Sequence, residues 1–144
     1  MDRLSSQARS LLMSRVRTRN TSPEIIVRKM AHALGHRFRL HRRDLPGTPD
    51  IVFPKLRLAL FVHGCFWHRH PGCMRATIPE ANFEFWKRKL DRNVERNREA
   101  VSDLVANGWR VQAIWECETK DSVILSRRLR QRFYSPFARD CLVT

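Results

Sequence analysis

The sequence predicts a single α/β domain, an α+β arrangement in which a mixed sheet is flanked by helices. Three observations carry this. The hydrophobic pattern changes period along the chain in the order α-β-β-α-β-α. One strand segment, Leu58 to Val62, is apolar at every position, as in a strand covered on both faces. The 144 residues contain no internal repeat, low-complexity tract or long linker, which fits one domain with a modest core.

The first segment, residues 1–20, is basic. Its Leu11, Leu12 and Val16 can form one face of a short helix, with Met13, Arg9, Arg15, Arg17 and Arg19 pointing elsewhere; a solvated basic tail is the other reading. This divides the chain into an N-terminal arm, 1–20, and a folded body, 21–144. Ser22-Pro23 starts a helix, with Ser22 as N-cap and proline at the first helical position. Ile26, Met30 and Leu34 then recur on one face, and Gly35 ends the helix. Glu24 falls in its first turn.

Asp50 to Phe53 and Leu58 to Val62 follow as two short strands joined through Pro54-Lys55, so they form a hairpin or near neighbours in the sheet. Asn82 to Asn107 reads as one long helix. Phe83, Trp86, Leu90, Val94, Val101 and Leu104 mark its buried stripe, and Gly108 stops it. Lys87, Arg88, Lys89, Arg92, Arg96 and Arg98 decorate the same helix, either facing phosphates or simply solvated. Trp109 to Trp115 alternates as a strand, with Trp109, Val111, Ala113 and Trp115 on one side. Ser122 to Phe133 closes the chain as a helix.

Twenty-eight Lys and Arg against fourteen Asp and Glu give a net charge of +14, with a pI near 11.2. Such an excess favours a polyanionic partner, nucleic acid first. A membrane surface is the competitor. It usually comes with a basic amphipathic helix or a lipid anchor, whereas here the basic residues run through the whole chain. No apolar run approaches the roughly 20 residues that span a bilayer, and the N-terminus lacks the apolar core of a signal peptide. A cytoplasmic, nucleoid-associated location without membrane contact is therefore expected. Four cysteines, Cys65, Cys73, Cys117 and Cys141, read there as metal ligands before disulfides.

Three clusters can carry chemistry. Pro49-Asp50 opens a strand, and a carboxylate so placed can hold a hard cation such as Mg²⁺; an Asp that only caps a turn is the plainer reading. The loop from His63 through Cys65, Phe66, Trp67, His68 and His70 to Cys73 is dense in soft and borderline ligands. Cys65, His70 and Cys73, with Cys117 from the end of the next strand, would close a tetrahedral structural zinc site. Cys141 in place of His70 is the competing set. His63 and His68 are then left over for general acid or base work. Phe66-Trp67 is a pair of adjacent aromatics that follows neither strand nor helix period. It can wedge between base pairs, or pack locally over the metal. Trp86 is placed in the core by its periodicity.

The stretch Phe61-Val62-His63-Gly64-Cys65-Phe66-Trp67-His68, with Pro46-Gly47-Thr48-Pro49-Asp50 upstream, resembles the signature of the very short patch repair (Vsr) mismatch endonucleases. Phe85-Trp86 with Lys89, Asn93-Val94-Glu95-Arg96, Gly108-Trp109-Arg110-Val111 and Trp115-Glu116-Cys117 extend the resemblance from about Arg9 to Cys117. It implies a restriction-endonuclease-like fold and a Mg²⁺-dependent enzyme that nicks double-stranded DNA at a T:G mismatch, 5′ of the T. By resemblance, Asp50 is the main magnesium ligand and the Val62 backbone carbonyl another. His68 handles protons, and His63 and Glu24 support it. Cys65, His70, Cys73 and Cys117 hold zinc. Phe66, Trp67 and Trp86 enter the DNA from the major groove and Met13 from the minor groove. The family commonly has threonine where Val62 stands. A monomer is expected, with functional links to a cytosine-5 DNA methyltransferase and to mismatch-repair proteins. Two other readings remain: a restriction-type endonuclease indifferent to mismatches, and a zinc-braced DNA-binding module without catalysis.

Overall fold

The computed structural model describes residues 19–135. The proposed helix around Met13 and the competing ligand Cys141 lie outside that range. Helix α1 (Ser22–Ala33) is followed by strands β1 (Arg39–Leu40), β2 (Ile51–Phe53) and β3 (Leu58–His63). Helix α2 (Phe83–Ala106), strand β4 (Arg110–Trp115) and helix α3 (Ser122–Tyr134) complete the order. The four strands form one mixed sheet in the order β1-β2-β3-β4. β1 and β2 are antiparallel, as are β2 and β3, while β3 and β4 run parallel across the α2 crossover. The mixed sheet between helices is the fold class expected.

β3 is apolar from Leu58 to Val62 because both faces are covered. Leu58 and Leu60 join Ile51, Phe53 and Ile114 under Val27 and Ala31 of α1 and Leu125, Leu129 and Phe133 of α3. Ala59 and Phe61 join Val52, Val111 and Ala113 under Val101 and Leu104 of α2. Removing one fully buried leucine from such a layer typically costs about 2–5 kcal/mol. The parallel β3-α2-β4 unit ends at His63 and Trp115, paired across the ladder, and sites in open α/β sheets gather beyond such carboxyl ends.

Four details differ from expectation. The N-cap of α1 is Thr21, one residue earlier than Ser22; its side chain accepts the Glu24 N–H, and Pro23 sits inside the first turn. The buried stripe of α1 is Glu24, Val27 and Ala31, while Ile26 is 40% exposed and Met30 and Leu34 only flank the core. The face is rotated because a carboxylate, not an apolar residue, occupies its first buried position. Phe83, expected in the buried stripe of α2, is 43% exposed. β1 is an additional edge strand. Its two residues are both exposed and give no hydrophobic signal.

Candidate active site and metal centre

A cleft of about 770 Å³ opens beyond the ends of β2 and β3, and Glu24, Asp50, Val62, His63, Trp67 and His68 all line it. Local sequence explains each placement. Asp50 precedes β2, and its Oδ2 accepts the Val62 N–H at 2.7 Å, so the side chain extends the hairpin by one rung. The turn before it must pass close to α2. A Cβ on Gly47 would stand 2.6 Å from Ala100 Cβ, and the Gly47 φ is +73°. Glycine meets both demands.

Glu24 is held at the N-terminus of α1, 3% exposed. Its Oε2 accepts the Asn20 N–H at 3.0 Å and lies 3.3 Å from Arg28 Nη2 and 3.0 Å from His41 Nε2. Donor atoms of Glu24, His41 and Asp50 lie within 4.8 Å of one another. Burial, opposed by the Val62 N–H and reinforced by Glu24, pushes the Asp50 carboxyl up to about 7. A divalent cation would supply the charge that returns such a carboxylate to its ionised form. Two carboxylates facing an open cleft also leave room for the waters a hard cation keeps.

His63 and His68 stack with centroids 4.0 Å apart. Burial, then the neighbouring His68 and His70, holds His63 well below the usual imidazole range. Burial takes His68 down to about 4. His63 Nε2 and His68 Nδ1 are buried without a hydrogen-bond partner. Both rings are therefore neutral near pH 7, each with nitrogen capacity in reserve.

The loop after β3 coils back on itself. The His68 N–H donates to the Gly64 carbonyl at 3.1 Å, the His70 N–H to the Cys65 carbonyl at 2.9 Å, and the Cys73 N–H to the His70 carbonyl at 3.2 Å. Arg69 takes φ +52° to close the turn. Cys65, His70, Cys73 and Cys117 converge with donor atoms within 4.8 Å. His70 lies flat on Trp115, centroids 4.2 Å apart at 14°, which turns its Nδ1 to 3.5 Å from Cys117 Sγ. Burial pushes the Cys65 thiol up to about 12 and also raises Cys117. Three sulfurs and one imidazole suit a soft or borderline cation with tetrahedral preference, and its charge would offset the burial of thiolates.

Phe66 and Trp67 meet edge to face at 5.1 Å, and both rest on Trp86 of α2, at 5.6 and 6.2 Å. The pair is half-buried, whereas Trp86 is 3% exposed, and its Nε1 has no hydrogen-bond partner. Phe66, Trp67 and Trp86 thus form one aromatic cluster, partly exposed at the pair and buried at Trp86. Of the six basic residues on α2, Lys89 and Arg96 line the cleft, with Asn93 and Asn97 beside them. Lys87 pairs with Asp91, and Arg98 with Glu95. His41 was not singled out from the sequence. Its only local signal is the short alternation Phe38-Arg39-Leu40 before it. Among the described residues, no helix is long and apolar enough to cross a membrane.

A family model described as "DNA mismatch endonuclease Vsr" matches residues 1–75. The chain is 52% identical to "Type II nicking enzyme V.XorIIP" of Xanthomonas oryzae pv. oryzae over 129 residues, covering 90% of this chain and 94% of that protein. It is 36% identical to "Type II nicking enzyme V.NmeAIP" of Neisseria meningitidis over 130 residues, with 90% and 92% covered. With "DNA mismatch endonuclease Vsr" of Escherichia coli it shares 41% identity over 109 residues, 76% of this chain and 69% of that one.

Proposed function

The chain belongs to the Vsr family of DNA mismatch endonucleases, and on that premise we propose that it nicks one strand of duplex DNA on the 5′ side of the T in a T:G mismatch. The nick initiates very short patch repair of deaminated 5-methylcytosine. One observation supports this above the rest. Glu24, Asp50, His63 and His68 line the same cleft as Trp67, so groups for phosphate chemistry and a group for unstacking bases face one substrate. Both named activities among the relatives, mismatch cleavage and nicking, agree with that pairing.

Asp50 and Glu24, with the Val62 carbonyl, would hold Mg²⁺, and Cys65, His70, Cys73 and Cys117 would hold a structural zinc. When bound, Mg²⁺ supplies charge stabilisation at the phosphate and its leaving oxygen. His68, neutral in the free protein, accepts the proton of the attacking water, and the approach of an anionic phosphate makes it a better base. His63 backs it, stacked at 4.0 Å. Lys89 and Arg96 bind backbone phosphates along the cleft. Phe66 and Trp67, supported by Trp86, open the stack at the mismatch, where a wobble pair resists less than a Watson–Crick pair. Residues 1–20 form a DNA-contacting arm from which Met13 enters the minor groove. Nicking of matched T:A and mismatched T:G duplexes of one sequence tests the reading; a restriction-type nuclease would cut both alike.

A further inference from the structure

We infer that His41 is a further protein ligand of the cation site, adding one imidazole to the two carboxylates and the Val62 carbonyl and so fitting the site to a divalent first-row transition cation over Mg²⁺. The inference rests on the reading of Glu24 and Asp50 as ligands.

Backbone geometry brings His41 there. β1 and β2 pair Leu40 with Ile51, and the next rung is the His41 N–H donating to the Asp50 carbonyl at 3.2 Å. One ladder therefore sets both residues at the mouth of the cleft. His41 then takes φ +46°, which ends the strand and turns the chain. A non-glycine residue in that conformation is uncommon and invites a functional reason. Here the ring reaches Glu24, and His41 lines the cleft.

The distances suit shared coordination. Two ligands each about 2.1 Å from an octahedral cation stand about 3 Å apart at adjacent positions. His41 Nε2 and Glu24 Oε2 are 3.0 Å apart, and donor atoms of all three residues lie within 4.8 Å. A second observation points to a ligand in this cleft. His63, 2% exposed and also lining it, keeps its Nε2 without a partner. Arg28, 3.3 Å from the same Glu24 oxygen, is the one cation paired with that carboxylate among the described contacts. Replacing an oxygen ligand by imidazole lowers the relative preference for Mg²⁺, which dehydrates reluctantly and favours oxygen, and raises it for transition cations.

The experiment uses the zinc-loaded full chain without DNA and Mn²⁺ as probe, followed by electron paramagnetic resonance, with Mg²⁺ as competitor. The wild type should bind Mn²⁺ about tenfold or more tighter than Mg²⁺, and His41→Gln should reduce that ratio to within about twofold of unity. Pulsed spectra of the Mn²⁺-loaded wild type should show a directly bound nitrogen that His41→Gln removes. No nitrogen coupling in the wild type would overturn the inference even if the variant fails to fold. An Asp50→Asn variant that abolishes Mn²⁺ binding, beside a His41→Gln variant with unchanged ratio and coupling, would overturn the role of His41 alone. Mn²⁺ binding indifferent to both substitutions would overturn the cation site itself.

Discussion

The Asp50 carboxylate accepts the Val62 backbone N–H at 2.7 Å, so a side chain facing the cleft is also a rung of the β2-β3 hairpin. Burial nevertheless pushes Asp50 up to about 7. An acid with a folded pKa above its unfolded value of 3.8 stabilises the fold fully below about pH 4, and that contribution is lost as pH rises through about 7. Asp50→Asn can keep an oxygen toward Val62 and carries no charge. Zinc-loaded and without added Mg²⁺, at pH 8 it should melt later than wild type by an increment worth about 2 kcal/mol at most, since the carboxylate edge faces water. At pH 4 the difference should vanish. Nicking should fall at least about a hundredfold, in line with loss of a principal cation ligand. Melting curves against pH of the zinc-loaded proteins without added Mg²⁺, beside a nicking assay, check both halves.

Gly47 couples the turn before Asp50 to α2. With Ala100 Cβ 2.6 Å from where a side chain would begin, and φ +73°, Gly47→Ala should destabilise the protein by about 1–3 kcal/mol. The turn carrying Asp50 must shift, so activity should fall further than stability alone explains. Urea titration and nicking at a temperature where the variant is fully folded separate the two effects.

With zinc bound, Cys65, His70, Cys73 and Cys117 would pin the loop that carries His68 to the end of β4. Purified protein should contain one zinc per chain, and zinc should survive Cys141→Ser but be lost in His70→Ala and Cys117→Ser. Cys117 does not line the cleft, yet its loss should abolish nicking because His68 is released with the loop. Metal analysis together with activity reads this out; zinc retained in His70→Ala would reassign the fourth ligand.

Trp86 offers a shape more than a hydrogen bond, since its buried Nε1 has no partner. Trp86→Phe should therefore be mild, within about 1.5 kcal/mol, whereas Trp86→Ala should cost about 3–5 kcal/mol by emptying the site beneath Phe66 and Trp67. Trp67→Ala should retain the fold and lose more activity on a T:G duplex than Mg²⁺ affinity. Denaturation curves and nicking rates of the three variants distinguish platform from wedge.

The sheet and most helices were legible in the sequence because each buries an apolar stripe of ordinary period. β3 announced its two covered faces through an unbroken run from Leu58 to Val62. The convergence of Cys65, His70, Cys73 and Cys117 was legible because three of the four lie within nine residues, Cys65 to Cys73. β1 was not, since Arg39 and Leu40 are both exposed and only pairing with β2 makes them a strand. The rotation of α1 was hidden because Glu24 occupies a core-facing position for the sake of the cleft. His41 was hidden too. Its partner Glu24 lies seventeen residues away, and only the β1-β2 ladder brings the two together.

The central claim is mismatch-directed nicking, and one measurement addresses it most directly. Two duplexes identical except for a central T:G or T:A pair are incubated with zinc-loaded protein and Mg²⁺, and strand-specific products are resolved. The account predicts a single nick 5′ of the T in the T:G duplex, at a rate at least about a hundredfold above that on T:A, a selectivity of roughly 3 kcal/mol. Equal rates on the two duplexes would contradict it.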